Sequence, residues 1–159
     1  GWTVRRQLPY PSAMTDLTIR RAARADIPAI AALLADDFLG AGREGAPLAD
    51  YEAGFDAVEA DPNQLLAVAE AGGEVVGTMQ LSFVPGLSRG GQWRGQVEAV
   101  RVASNCRGQG IGEAMMAWAI ERCRERGCVI CELTSDKRRP DAHRFYDRLG
   151  FEASHLGYK

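Results

Sequence analysis

The sequence has no apolar run near the ~20 residues that a helix needs to cross a bilayer, so a membrane-spanning role is set aside. It also lacks a basic excess: 19 Lys and Arg stand against 21 Asp and Glu, a net charge of −2. A protein whose main task is to grip a phosphate backbone carries the opposite balance, and no nucleic-acid partner is expected. Histidine is scarce, with two residues, and no cluster of ligand-type side chains has metal spacing, so no metal is expected. The first residues, GWTVRRQLPYPSA, hold no apolar leader core, which points to a cytoplasmic protein. Met14 reads as a true start. Residues 1–14 are accordingly read as an extension or cloning remnant, and residues 15–159 as one domain.

Cysteine is present but sparse: Cys106, Cys123, Cys128 and Cys131, all in the last third. Cys128 and Cys131 form a C-x-x-C, yet zinc would want a second such pair and none exists. The stretch CVICEL reads as a strand, in which residues three apart point to opposite faces. Thiols in a reducing compartment are the expected state.

What the chain does have is ordinary globular material. Apolar residues make up 46% and charged residues 25% of 159 positions, enough to build a core and too much apolar surface for a disordered chain. The length fits one domain.

An alternating run, 17–21, predicts a first strand. Asp26 looks like an N-cap, with Pro28 in the first turn. Ile27, Ile30, Ala31, Leu34 and Phe38 follow at helical spacing, predicting a helix to about Phe38. Residues 40–46 hold three glycines and read as a loop. Leu48, Tyr51, Phe55 and Val58 mark a second helix, stopped near Asp61 and Pro62. Strands are predicted at 65–71, 75–84 and 93–102, with a Gly72–Gly73 hairpin turn and the loop 85–91 between them. A helix follows over 110–126, buried along Ile111, Ala114, Met115, Trp118 and Ala119, with Gly127 as its stop. A strand at 128–134, a helix at 140–149 and a last strand at 151–159 complete the chain. The order is β-α-α-β-β-β-α-β-α-β: an α/β (α+β) fold with a central mixed β-sheet flanked by about four helices.

The most informative segment is VRVASNCRGQGIG, from Val100 to Gly112. A strand ends, a loop carries Arg107, and Gly108, Gly110 and Gly112 open a long helix. Glycine lets a backbone approach an anion closely. The first helical amides have no internal partner, and the helix dipole puts partial positive charge there. The result is a phosphate site, to which Arg107 adds a charged fork. Gly112 is followed by Glu113 rather than Lys, which argues against a nucleotide-hydrolysing P-loop. The spacing G-x-G-x-G, placed after a meander, argues against a dinucleotide fold. A glycine-rich turn without a ligand leaves Arg107 unexplained.

Residues 107–112, R-G-Q-G-I-G, resemble the R/Q-x-x-G-x-G/A acyl-CoA signature of the GNAT superfamily of N-acetyltransferases. A second block, DAHRFYDRLGF at 141–151, is similar to that family's late helix with its F-Y-x-x-L-G-F ending. The likeness spans 17–159, and the family's order of elements agrees with the one above. The stretch KRRPDAHRFYDRLGFEASH resembles the aminoalkylphosphonate N-acetyltransferases and related small-amine enzymes.

The resemblance implies acetyl-CoA as co-substrate and the primary amine of a small molecule as acceptor. Arg107, Gly108, Gln109, Gly110, Ile111 and Gly112 would hold its phosphates. Backbone amides near Val100 and Val102, on a strand splayed from its neighbour, would serve the acetyl carbonyl and the pantetheine arm, which Ser135 would also contact. Such a transfer needs a base for the amine and an acid for the departing thiolate. Glu98 lies where the family often has an acidic residue, although a water chain frequently serves instead. Alternation groups Glu98 with Gln96 and Val100, and an acid among apolar neighbours has a raised pKa. Tyr146 matches the tyrosine of the F-Y pair, and a phenol near pKa ~10 stays protonated at neutral pH. His143 and His155 read as capping or packing residues. Lys137, Arg138 and Arg139 read as a solvated turn or a contact for the CoA 3′-phosphate. Arg89 and Arg94 could hold an acidic group of the amine. Relatives often pair through sheet edges, so a homodimer is expected. Two other readings stay open: acetylation of a protein, peptide or aminoacyl-tRNA, and a CoA-binding module without catalysis. The first is weakened for tRNA by the net charge, the second by the presence of both Glu98 and Tyr146.

Overall fold

The computed structural model describes residues 16–36, 39–42 and 44–159. The N-terminal stretch discussed above lies outside them, as do Phe38 and its neighbour 37. The elements are β1 (Leu17–Arg21), α1 (Ile27–Ala35), α2 (Leu48–Ala60), β2 (Gln64–Ala71), β3 (Glu74–Val84), a single helical turn α3 (Ser88–Gly91), β4 (Trp93–Val102), α4 (Ile111–Glu125), β5 (Cys128–Leu133) and α5 (Pro140–Arg148). The five strands form one sheet in the order β1-β2-β3-β4-β5. β1 to β4 are an antiparallel meander, and β5 is parallel to β4. The fold is the expected α/β arrangement around a mixed sheet.

Each half of this order has a local cause. Gly72 and Gly73 both take positive φ, 58° and 80°, which suits a tight hairpin between β2 and β3. A parallel β5 requires a crossover, and α4 supplies it. On one sheet face, α4 buries Ile111, Ala114, Met115, Trp118 and Ala119 against Met79, Leu81, Phe83 and Val97. On the other, Ile27 and Ile30 of α1 and Phe55 of α2 pack on Val68. The two glycines inside strands explain how closely α4 approaches. A Cβ on Gly77 would stand 2.7 Å from Met115 Sδ, and one on Gly95 would stand 2.2 Å from Cys123 Sγ. Both strand glycines are sockets for sulfur side chains.

Three expectations are corrected. The last strand, 151–159, does not form. Gly150 turns at φ 94°, and Phe151 N donates to Tyr146 O at 3.0 Å while Ser154 N donates to Glu152 O at 2.9 Å. Residues 152–159 are all exposed. A strand exists only against a partner edge, and this segment bonds to itself instead. Asp26 does not cap α1. Its carboxylate accepts from Ala23 N at 2.7 Å and from Arg20 at 2.7 and 3.1 Å, because a guanidinium is a stronger donor than a helix amide. The helix α1 ends at Ala35, where Asp36 N bonds to Leu33 O at 3.3 Å. Among the described residues, no helix is long and apolar enough to cross a membrane.

Candidate active site

The sheet opens between β4 and β5. Their pairing runs from Trp93↔Cys128 to Val97↔Leu133. β5 then ends, but β4 continues to Val102. Residues 98–102 therefore present a backbone edge that β5 does not cover, while their other edge is held by β3. The uncovered edge follows from the earlier end of β5.

A bulge sits in that edge. Ala99 takes φ 52°, and the register with β3 jumps from Gln80↔Glu98 to Thr78↔Arg101. The extra residue changes the phase of alternation. Glu98 and Arg101 thereby share a face, whereas Val100 packs with the core cluster on the α4 side. The expected grouping of Glu98 with Val100 is thus corrected. Glu98 is exposed rather than set among apolar side chains. Its cross-strand neighbour Gln80 donates to Gln64 Oε1 at 2.8 Å, and Ser82 Oγ donates to the same oxygen at 3.1 Å. This polar row on β2 and β3 carried no signal in sequence, because its members are distant until the strands pair.

Tyr146 lies on α5, half-buried, with its ring edge-on to Phe145 at 5.1 Å and to Phe151 at 5.9 Å. Burial pushes its phenol above the ordinary value, against the opposing pull of the Arg101 and Arg139 guanidiniums. The phenol is therefore held in its protonated form. Arg101 had no mark in the sequence that set it apart.

The glycine-rich turn divides its labour. Gly108 and Gly110 take φ 79° and 78°, and Gly110 is the N-cap of α4. The first bonded helical amide is that of Ala114, to Gly110 O at 3.1 Å. The amides of Ile111, Gly112 and Glu113 precede it and lie in the positive end of the dipole. Gly112 has a further part to play: a Cβ there would stand 3.2 Å from Phe145 Cζ. Its smallness lets α5 close on α4, which seats Tyr146 one residue further on. Arg107 is exposed beside this turn. Among the buried side-chain polar atoms without a hydrogen-bond partner in the described residues are Gln109 Oε1 in the turn and Ser135 Oγ just past β5. Buried polar atoms are normally paired, so both are open to a bound molecule.

The remaining polar residues are engaged elsewhere. His143 Nε2 donates to Asp136 O at 2.8 Å, so that nitrogen holds a proton and steadies the loop before α5. Arg138 grips Asp136 through two 3.0 Å bonds and holds its carboxyl well below the usual range. Arg94 pairs with Glu132 at 2.8 Å. His155 is exposed, with Nδ1 2.7 Å from Ser154 Oγ. The cysteine expectation needs correction too. β5 pairs irregularly at Trp93/Arg94, so Cys128 and Cys131 both pack against the same core. A hydrogen bond between the free thiols of Cys123 and Cys131, together with burial, pushes the Cys123 thiol up; the same bond draws that of Cys131 down against the opposing effect of burial.

The chain is 39% identical over 112 residues to an aminoalkylphosphonate N-acetyltransferase of Salmonella typhimurium, covering 69% of this chain and 72% of that protein. It is 39% identical over 83 residues to a glucosamine 6-phosphate N-acetyltransferase of Trypanosoma brucei brucei, covering 51% and 53%. A crystal structure from Bacillus halodurans C-125, named a transcriptional regulator, has a TM-score of 0.87 and 47% identity, covering 90% of this chain and 97% of that one. The profile of the Acetyltransferase (GNAT) family matches residues 27–151, a span that takes in the open β4 edge, the glycine turn and Tyr146 together, and on that ground the chain belongs to the GNAT family and is an N-acetyltransferase.

Proposed function

We propose that the chain moves the acetyl group of acetyl-CoA to the primary amine of a small molecule by direct attack on the thioester. The observation that carries this reading is the uncovered β4 edge at 98–102, flanked by the amides that open α4 and by Tyr146. Acetyl-CoA supplies an activated acetyl thioester. Arg107, Gly108, Gly110, Ile111 and Gly112 hold its phosphates; the orphaned Gln109 Oε1 and Ser135 Oγ take polar groups of its arm. The edge amides near Val100 and Val102 donate to the carbonyl oxygen as charge develops there. Glu98 takes the proton from the amine, directly or through water, as the C–N bond forms. Tyr146 gives its proton to the sulfur as the C–S bond breaks.

The acceptor class follows from the relatives' names. An aminoalkylphosphonate and glucosamine 6-phosphate both join an amine to a phosphorus oxyanion, so amines of that kind are the first acceptors to test. Because Arg94 is committed to Glu132, exposed Arg89 is the better cation for such an anion.

The test is thiol release from acetyl-CoA against a panel of aminoalkylphosphonates, amino sugar phosphates, polyamines, aminoglycosides and peptides. Turnover confined to small amines supports the reading, and turnover confined to peptides overturns the acceptor class. Acetyl-CoA binding without thiol release for any amine would leave only a binding module.

A further inference from the structure

Three of the four cysteines meet at one place that the proposed chemistry does not use. Two backbone devices bring them there. In β5 the register passes from Trp93↔Cys128 to Arg94↔Ile130, so Val129 has no counterpart on β4. That extra residue puts Cys128 and Cys131, three apart, on one face, where both pack against the core on the α4 side. On β4, Gly95 lies opposite Cys131. It has no side chain, and its space is filled from α4 by Cys123, whose Sγ would stand 2.2 Å from an added Cβ. Neighbouring strands are ~4.8 Å apart, so the sulfur over Gly95 is one strand away from Cys131. Cys123 is hydrogen-bonded to both Cys131 and Cys128.

A single buried cysteine is a small apolar group. Thiols in mutual contact are a different chemical object, because two of them can be joined. Cys123 is 3% exposed, whereas Cys128 and Cys131 are only half-buried, so a small oxidant reaches the strand cysteines first. The S–H of Cys123 favours the thiolate of Cys131, against the effect of burial, and the thiolate is the form that reacts. Among the described residues no group of three or more His, Cys, Asp or Glu is arranged to hold a metal ion, which leaves redox chemistry as the use of this cluster.

We propose that Cys131 and Cys123 form a reversible disulfide, made when the half-buried Cys131 is oxidised by a hydroperoxide and the buried Cys123 resolves the product. The Cys131 thiolate attacks the terminal oxygen of the hydroperoxide. The O–O bond breaks, an S–O bond forms, and the alkoxide or hydroxide leaves and takes up a proton, giving a sulfenic acid on Cys131. The Cys123 sulfur then attacks that sulfur. The S–S bond forms, the S–O bond breaks, and the hydroxide leaves as water with the Cys123 proton. The two sulfurs together lose two electrons, which the hydroperoxide gains. The bond ties α4 to β5. Cys123 lies twelve residues beyond Ile111, about 18 Å along the helix, so the tether holds α4 from the end opposite the glycine turn.

The test is a titration of the full chain with hydrogen peroxide, quenched by alkylation and followed by peptide mapping without reductant. The expected result is a fall from four free thiols to two, one intramolecular bridge between Cys123 and Cys131, and a return to four with a dithiol reductant. Cys131→Ser should keep all its remaining thiols at the same dose. Cys123→Ala should stop at a sulfenic acid on Cys131, captured by a dimedone-type reagent. The bridge itself is mapped in the unaltered chain, so the outcome does not depend on how well either variant folds. Four thiols that survive a dose sufficient to oxidise free cysteine overturn the inference. So does a bridge to Cys128 or between chains, and so does a sulfinic acid on Cys131 with no bridge.

Discussion

Tyr146 and Glu98 owe their chemistry to different surroundings. Tyr146 is wrapped by Phe145 and Phe151 and raised by burial; Glu98 stands exposed in a polar row. Tyr146→Phe should lower kcat by ~10²–10⁴-fold with little change in acetyl-CoA affinity. The alkaline limb of the wild-type profile, displaced above that of a free phenol, should vanish with it. Glu98→Gln should lower turnover at neutral pH, and the loss should shrink as pH rises and solvent deprotonates the amine. A pH-independent rate equal to wild type would assign the proton to a water chain instead. Away from the cleft, Asp26 is 10% exposed and doubly bonded to Arg20. Hydrogen bonding to Arg20 lowers its pKa despite burial. A depressed carboxyl stabilises the fold above its unfolded pKa of ~3.9 and loses that contribution as pH falls through the folded value. Asp26→Asn should cost about 1–3 kcal/mol at neutral pH, and denaturation midpoints should show its stability falling less steeply in acid than wild type.

At the scale of elements, the closeness of α4 to the sheet decides where the glycine turn sits. Gly95 makes room for Cys123, whose Sγ would meet an added Cβ at 2.2 Å and whose Cβ would meet it at 3.1 Å. Gly95→Ala should destabilise by ~1–3 kcal/mol through overpacking. Adding Cys123→Ala removes the sulfur and should restore much of that loss, measured as a urea midpoint in the double variant. The pairing of Gly112 with Phe145 acts on the next layer out, setting α5 against α4. Sequence reading found most of these elements because they are written locally: a period of two in the strands, a buried stripe in α4, glycines at turns. It placed β4 from Trp93 to Val102 and started α5 at Pro140, as observed. It failed at 151–159, read as a last strand, which no edge among the described residues receives.

For the whole molecule, a cleft with open amides and orphaned polar atoms should gain stability from its ligand. Acetyl-CoA at about 100 times its Kd should stabilise the fold by ~2.7 kcal/mol. For a chain of this length that is an upward Tm shift of roughly 5–10 °C, readable by differential scanning calorimetry; no shift would remove acetyl-CoA from the proposed function. The order of elements from β1 to α5, the mixed sheet, the glycine-rich turn and the likeness carried by residues 107–112 and 141–151 were legible in the sequence alone, since each depends on neighbours within a few positions. Other features were decided only by tertiary structure. The bulge at Ala99 turned Glu98 and Arg101 to one face, Arg20 drew Asp26 away from capping, Phe145 claimed the space at Gly112, and β5 kept an outer edge with no strand on it among the described residues. Each of these depends on which distant residue arrives opposite, and local periodicity carries no record of that.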